Sequence, residues 1–241
     1  MKIIDLFREL SFGELSNLAI SNSGSGQIIE EKQPQLVQYT NNALLALHTR
    51  FMLVEKQLLL EQVASITNYH LTRKYAVQTG ADVDFRYIKD LPEAPFTGDL
   101  IRIISVHGSD GQCSYEYVLN DVDNQNSLFT PQPNVLQIPR PIDGLPTAVV
   151  YQASHAKLDD RIDGPDNILN QTIDIPIYLE NALRLFVAYK VFSHMNGQEN
   201  IVKSQEYLGA YEAACLEIEQ RDLVNQTFST SHCKLEQRGF V

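Results

Sequence analysis

From Leu36 to Phe51, buried-type positions return in steps of three and four, through Thr40, Ala43, Leu44 and Leu47. That spacing gathers them on one helical face. Pro34, whose missing N–H costs nothing in a first turn, marks the start. A helix is expected over 34–52. A shorter one is expected over 12–20, because Ser11 and Glu14 have capping-box spacing and Leu15, Leu18 and Ala19 follow. Near the other end, Pro176 opens a helix with two adjoining stripes, Leu179, Leu183, Phe186 and Tyr189 beside Tyr178, Ala182, Leu185 and Phe192. So wide an apolar arc belongs to an element surrounded by core. Gly197 reads as its C′ residue and Asn200 as the N-cap of a last helix over 201–222, where Leu208, Tyr211, Cys215 and Ile218 keep the helical step. The hairpin formed by these two helices looks like scaffold.

Between the helical ends the pattern changes to β-prone runs. Extended segments are expected at 56–62, 99–106 and 114–119, the last two joined as a hairpin through His107–Gly111. "TAVVYQASHAKL" reads as a further strand, and "PNVLQIPRP" as an edge strand because its prolines suit edges. "NYHLTRKYAVQTG" leaves helix and strand both open. Beyond 224 no period survives, and Phe228, Leu235, Phe240 and Val241 stand alone in what reads as an extended tail. The expected fold is therefore α+β: a mainly helical body, a helix bundle with a C-terminal helical hairpin, carrying a β-rich insertion and an extended C-terminal tail. Its expected divisions are 1–64 (N-terminal helical part), 65–169 (β-rich insertion), 170–224 (hairpin completing the body) and 225–241 (tail).

Composition narrows the function. Hydrophobic residues make up 44% of the 241, enough for a packed core. A net charge of -11 with scattered Lys and Arg argues against specific nucleic-acid binding, which needs clustered cations to displace counterions from phosphates. The three cysteines, Cys113, Cys215 and Cys233, are odd in number and widely spaced, so neither a disulfide framework nor a zinc site is indicated. Asp5, Arg8 and Glu9 interrupt any signal-peptide core, and no apolar run is long enough to span a membrane. Cytoplasmic synthesis fits.

Chemistry is sparse. Asp159, Asp160, Asp163 and Asp166 share one Gly-containing loop, and hard oxygen ligands in such a loop suit calcium. The first three are the candidate metal ligands, although the spacing is not that of an EF-hand and a solvated acidic loop is the simpler reading. No close His pair suits a metal, and His48 and His194 read as helix-surface or boundary positions. "SGSGQ" and "HGSDGQ" lack phosphate-loop spacing. "FSTSHC" puts Ser229, Ser231, His232 and Cys233 together, but a terminal segment does not hold a nucleophile and its base rigidly. No catalytic residue, metal or cofactor is assigned, and the chain is read as non-enzymatic.

Three stretches carry a resemblance: "SFGELSNLAI", "PQLVQYTNNALLALHTRF" and "PIYLENALRLFVAYKVFSHMNGQENIVKSQEYLGAYEAACLEI". Their order, with Tyr189, Phe192 and Ser193 in "AYKVFS", resembles the head-to-tail adaptors of tailed bacteriophages, especially the tail tubular protein A-like connectors of short-tailed phages. It covers a little under half of the chain and matches helix-packing residues, with no catalytic motif among them. The resemblance implies a virion structural protein in the phage neck: a homo-oligomeric ring of about twelve copies between the portal protein and the tail or nozzle protein. DNA would pass through without specific binding. It also implies that C-terminal tails reach toward the portal, which makes Phe228, Leu235, Phe240 and Val241 the candidate portal-binding residues. The alternative reading is a carbohydrate- or protein-binding module that uses the β-rich insertion. An enzyme built around Asp159, Asp160 and Asp163 is the third.

Overall fold

The structure is a computed structural model that describes residues 1–16, 18, 28–109, 114–161, 168–221 and 223. The chain divides into two units, Met1–Ala43 with Asp159–Val241, and Leu44–Leu158. The second unit is built on β-sheet and takes about half of the chain. The body is therefore not mainly helical, and this part of the expected fold is corrected: the protein is α+β, with four α-helices and two antiparallel sheets among the described residues. Three of the strands are only three residues long, too short for a period-two signal to register.

The first unit is helical. Helix α1, Ile3–Phe12, buries Ile3, Leu6, Phe7 and Leu10 on one side. It lies ahead of the helix expected over 12–20. The Ser11–Glu14 capping pattern is instead the end of α1, where the Gly13 N–H donates to Glu9 O at 2.8 Å. At its start the Asp5 carboxylate accepts from the Lys2 N–H at 3.4 Å. The first residues are tied down by backbone bonds: Ile3 N–H to Gln171 O at 3.0 Å and Ile173 N–H to Met1 O at 2.8 Å.

Helix α2 spans Gln33–Arg50. Its Leu36, Thr40, Ala43, Leu44 and Leu47 are all buried, as the spacing requires. The boundary between the units falls within it, after Ala43. Helix α3, Glu180–Ser193, buries Ala182, Leu183, Val187, Ala188, Val191 and Phe192. Helix α4, Gln198–Gln220, lies against it. The seam is aromatic: Phe192 stacks on Tyr207 with centroids 5.3 Å apart, and Phe186 meets Tyr211 at 5.1 Å. Gly197 is not the C′ residue of α3. It precedes α4 at φ +110°, a conformation that L side chains rarely adopt, and His194 ends α3.

The second unit holds β1 (Glu55–Glu61), β2 (Asn68–His70), β3 (Leu100–Ser109), β4 (Ser114–Glu116), β5 (Phe129–Gln132), β6 (Val135–Gln137) and β7 (Pro146–Ala153). One sheet has the order β1-β7-β3-β4 and the other β2-β6-β5. In β1, Leu58 and Leu60 point inward while Leu59 is exposed, the alternation of a half-buried strand. Both sheets feed one core, with Leu58, Leu60, Val106, Val149 and Tyr151 from the first and Tyr69 and Leu136 from the second. The strand in "PNVLQIPRP" is central, not an edge. Its prolines stand outside the paired residues 135–137, so they block no ladder bond. Of the two edge strands, β2 and β5, the latter carries Pro131 within it.

His48, expected at a helix surface or boundary, is buried, with Nδ1 3.3 Å from Ala153 O. Gln152 closes the end of α2 within this unit. Its side-chain amide donates to the His48 carbonyl, and to the Phe51 carbonyl at 3.1 Å.

Several phenols are buried. Desolvation raises the Tyr87 pKa, helped by the neighbouring Tyr75. Desolvation also raises that of Tyr151, helped by Asp99, whose carboxylate accepts from the Tyr151 hydroxyl at 3.1 Å. Tyr69 is raised mainly by burial. Each holds its proton more tightly folded than unfolded. The resulting stability is complete below the unfolded value of about pH 10 and is lost as pH rises through the raised folded values. Alkaline titration followed by tyrosinate absorbance is expected to show a late fraction of tyrosines that ionises together with loss of circular dichroism. Complete ionisation near the unfolded value, with the fold intact, would contradict this.

Candidate functional site

The acidic loop is engaged by its own neighbours. Arg161 clamps the Asp159 carboxylate, with Nη2 2.8 Å from Oδ2 and Nε 3.0 Å from Oδ1, and its backbone N–H donates to Oδ1 at 3.1 Å. These bonds hold the Asp159 pKa down at about 2. The Asp159 backbone is fixed in turn by Gln171, whose amide accepts from its N–H at 2.7 Å and donates to its carbonyl at 2.8 Å. Asp160 accepts from the Gln38 amide at 2.9 Å. Asp163 and Asp166 lie outside the described residues, as do Cys113, the "FSTSHC" segment and the four tail positions Phe228, Leu235, Phe240 and Val241. Among the described residues no group of three or more His, Cys, Asp or Glu could hold a metal ion. Cys215 is buried. His194 stacks on Tyr39 with centroids 5.2 Å apart.

What the sequence did not single out is a cleft of about 560 Å³ in the β unit. Three stretches line it: 115–118 at β4, the turn 124–128, and 138–145. Tyr115 lies on β4 and Tyr117 directly follows its last residue. Their hydroxyls are 3.0 Å apart and their rings meet edge to face at 5.1 Å. Burial, followed by this hydroxyl contact, pushes the Tyr117 pKa up to about 12.

Tyr115 is held in place by a glycine. Its cross-strand partner is Gly108, and a Cβ at that position would lie 2.6 Å from the tyrosine ring. The ring therefore lies against bare backbone while 42% of the residue stays exposed.

The turn beside it is locked by its own polar groups. Asn120 takes the left-handed conformation, φ 58°, and its amide accepts from Thr130 N–H at 2.9 Å. Asp121 Oδ1 accepts from Asp123 N–H at 3.0 Å, and Asn124 Oδ1 from Asn126 N–H at 2.9 Å. Buried Ser127 donates to Val118 O at 3.1 Å. On the third side Gln62 fixes the backbone, accepting from Ile142 N–H at 2.8 Å. The usable signal in the sequence was the alternation "SYEY" followed by the amide run "NQN".

No protein-family model matches the chain, and no curated protein matches it either. No helix among the described residues is long and apolar enough to cross a membrane.

Proposed function

We propose that the chain is a head-to-tail adaptor of a tailed bacteriophage. In this reading it is a virion protein that forms a ring of about twelve copies between portal and tail. The observation that carries the proposal is the outer side of α4. Ile201, Val202 and Leu216 are exposed there, and at 100° per residue they fall on one side of the helix, with Gln205 and Gly209 between them. Gly209 costs a helix interior about 1 kcal/mol relative to Ala. Nothing among the described residues requires it, since none of their atoms lies within 4 Å of where a Cβ would sit. A bare helix position flanked by exposed aliphatics suits close approach by a helix of another subunit. Heterologous contacts of this kind close into a ring when the rotation permits.

The aromatic α3–α4 seam supplies a stiff body for such a ring. The excess of acid suits a channel wall that repels passing phosphates. The resemblance of the three sequence stretches points the same way.

Native mass with negative-stain imaging tests the reading, on the chain alone and mixed with a phage portal protein from the same source. A closed ring on the portal is expected, and a monomer under both conditions would overturn the proposal. Gly209→Trp is expected to leave the fold intact and abolish the ring. Gly209→Ala is expected to raise the stability of the isolated chain by about 1 kcal/mol, read from denaturant midpoints. A Gly209→Trp variant that still assembles would remove α4 from the interface.

A further inference from the structure

We propose that the cleft beside Tyr115 and Tyr117 is a binding site for a neutral saccharide, with one sugar ring stacked on Tyr115. This stands on the cleft alone and does not require the adaptor assignment.

The lining chemistry selects the ligand class. It contains one acid, Glu116, and one base, Arg140, neither with an ion-pair partner among the described residues. A phosphorylated or polyanionic ligand would need more positive charge than a single arginine beside a glutamate supplies. A purely apolar ligand would strand the amides and phenols that surround it. A sugar satisfies both groups. Each hydroxyl donates and accepts, as the exposed Gln125 and Asn126 side-chain amides and the two phenols do. The C–H face of a pyranose is weakly positive and matches the negative face of an aromatic ring.

The site is also preorganised. The Tyr115 ring rests on Gly108 and hydrogen-bonds to Tyr117, which packs against the core of the unit. The turn carrying Gln125 and Asn126 is held by the Asn120, Asp121, Asn124 and Ser127 bonds described above. A rigid ring and rigid amides lose little freedom when the ligand arrives. About 560 Å³ accommodates a ligand of one to a few sugar rings. With roughly a dozen heavy atoms in contact, a dissociation constant on the order of 1 mM per ring is expected.

The test is saturation-transfer NMR on the full chain with three probes: maltotriose, cellotriose and the trimer of N-acetylglucosamine. At least one is expected to receive saturation, strongest on the C–H protons of a single ring. Tyr115→Ala should weaken binding at least tenfold, and Tyr115→Phe should retain most of it. Asn126→Ala guards against misfolding, because the Asn126 side chain makes no hydrogen bond among the described residues, and it should weaken binding severalfold with an unchanged unfolding midpoint. Absence of saturation on all three probes with folded protein overturns the proposal. So does saturation that survives both Tyr115→Ala and Asn126→Ala unchanged.

Discussion

Replacing Tyr69 by alanine is expected to destabilise the β unit by about 3–5 kcal/mol, the range for truncating a large buried aromatic. Tyr69 is completely buried and belongs to the core shared by both sheets. Its ring meets Tyr87 edge to face with centroids 5.1 Å apart. Its hydroxyl accepts from Val63 N–H at 2.9 Å and donates to Val63 O at 3.1 Å. Alanine would remove the ring, leave a cavity, and strand both backbone groups. Phenylalanine keeps the ring and strands only the backbone pair, so about 1–2 kcal/mol is expected from Tyr69→Phe. Urea unfolding followed by circular dichroism distinguishes the two, provided the slope with denaturant is unchanged. A loss below 1 kcal/mol for the alanine variant would show that the surrounding aromatics collapse into the gap. Against a typical stability of about 5–15 kcal/mol, the expected loss would leave the unit marginal.

If the chain is the proposed adaptor, removing residues 226–241 is expected to leave a folded chain that no longer joins the portal. Phe228, Leu235, Phe240 and Val241 are too sparse to build a core of their own, and such segments commonly order on a partner. Binding that rests on a few apolar anchors is lost when all of them go. Negative-stain images of portal mixed with truncated chain should show bare portals, while the circular dichroism spectrum stays native-like. Decorated portals would exclude the tail from the contact and shift attention to the helical unit.

Local pattern was most readable where one element buries one face over many turns. Helix α2 is such a case: eighteen residues with an unbroken step of three and four, five of whose indicated positions are buried. Helix α1 was harder to place. Its Ile3, Leu6, Phe7 and Leu10 have the same step, but Ser11 and Glu14, at the far end of the helix, offered a more familiar start signal. Gly197 shows another ambiguity. The connection between α3 and α4 is so short that one glycine with positive φ could end the first helix or precede the second, and the type of residue does not say which.

The misjudged weight of β structure has a comparable origin. Strands β2, β4 and β6 offer three residues each, and β6 becomes central only through pairing with β2, more than sixty residues earlier in the chain. Proline counts by whether its position needs an N–H, and the prolines around β6 fall just outside the ladder. The cleft was illegible for the same reason. Its three walls are ordinary in sequence and acquire chemistry only when brought together, and Tyr115 is fixed by Gly108, which as a residue read only as part of a hairpin turn.

The pairing of β1 with β7 has a consequence for how such a chain can change. Glu55 faces Gln152, and the Ala153 N–H donates to Val54 O at 2.9 Å, so the β unit is entered and left at neighbouring points. A segment whose ends meet can be shortened, exchanged or lost in one genetic event without stretching the flanking chain. The segment from Glu55 to Gln152 is in that sense a cassette. Its surface can diversify for new ligands at a pace set by recombination, while the helices on either side keep their own packing.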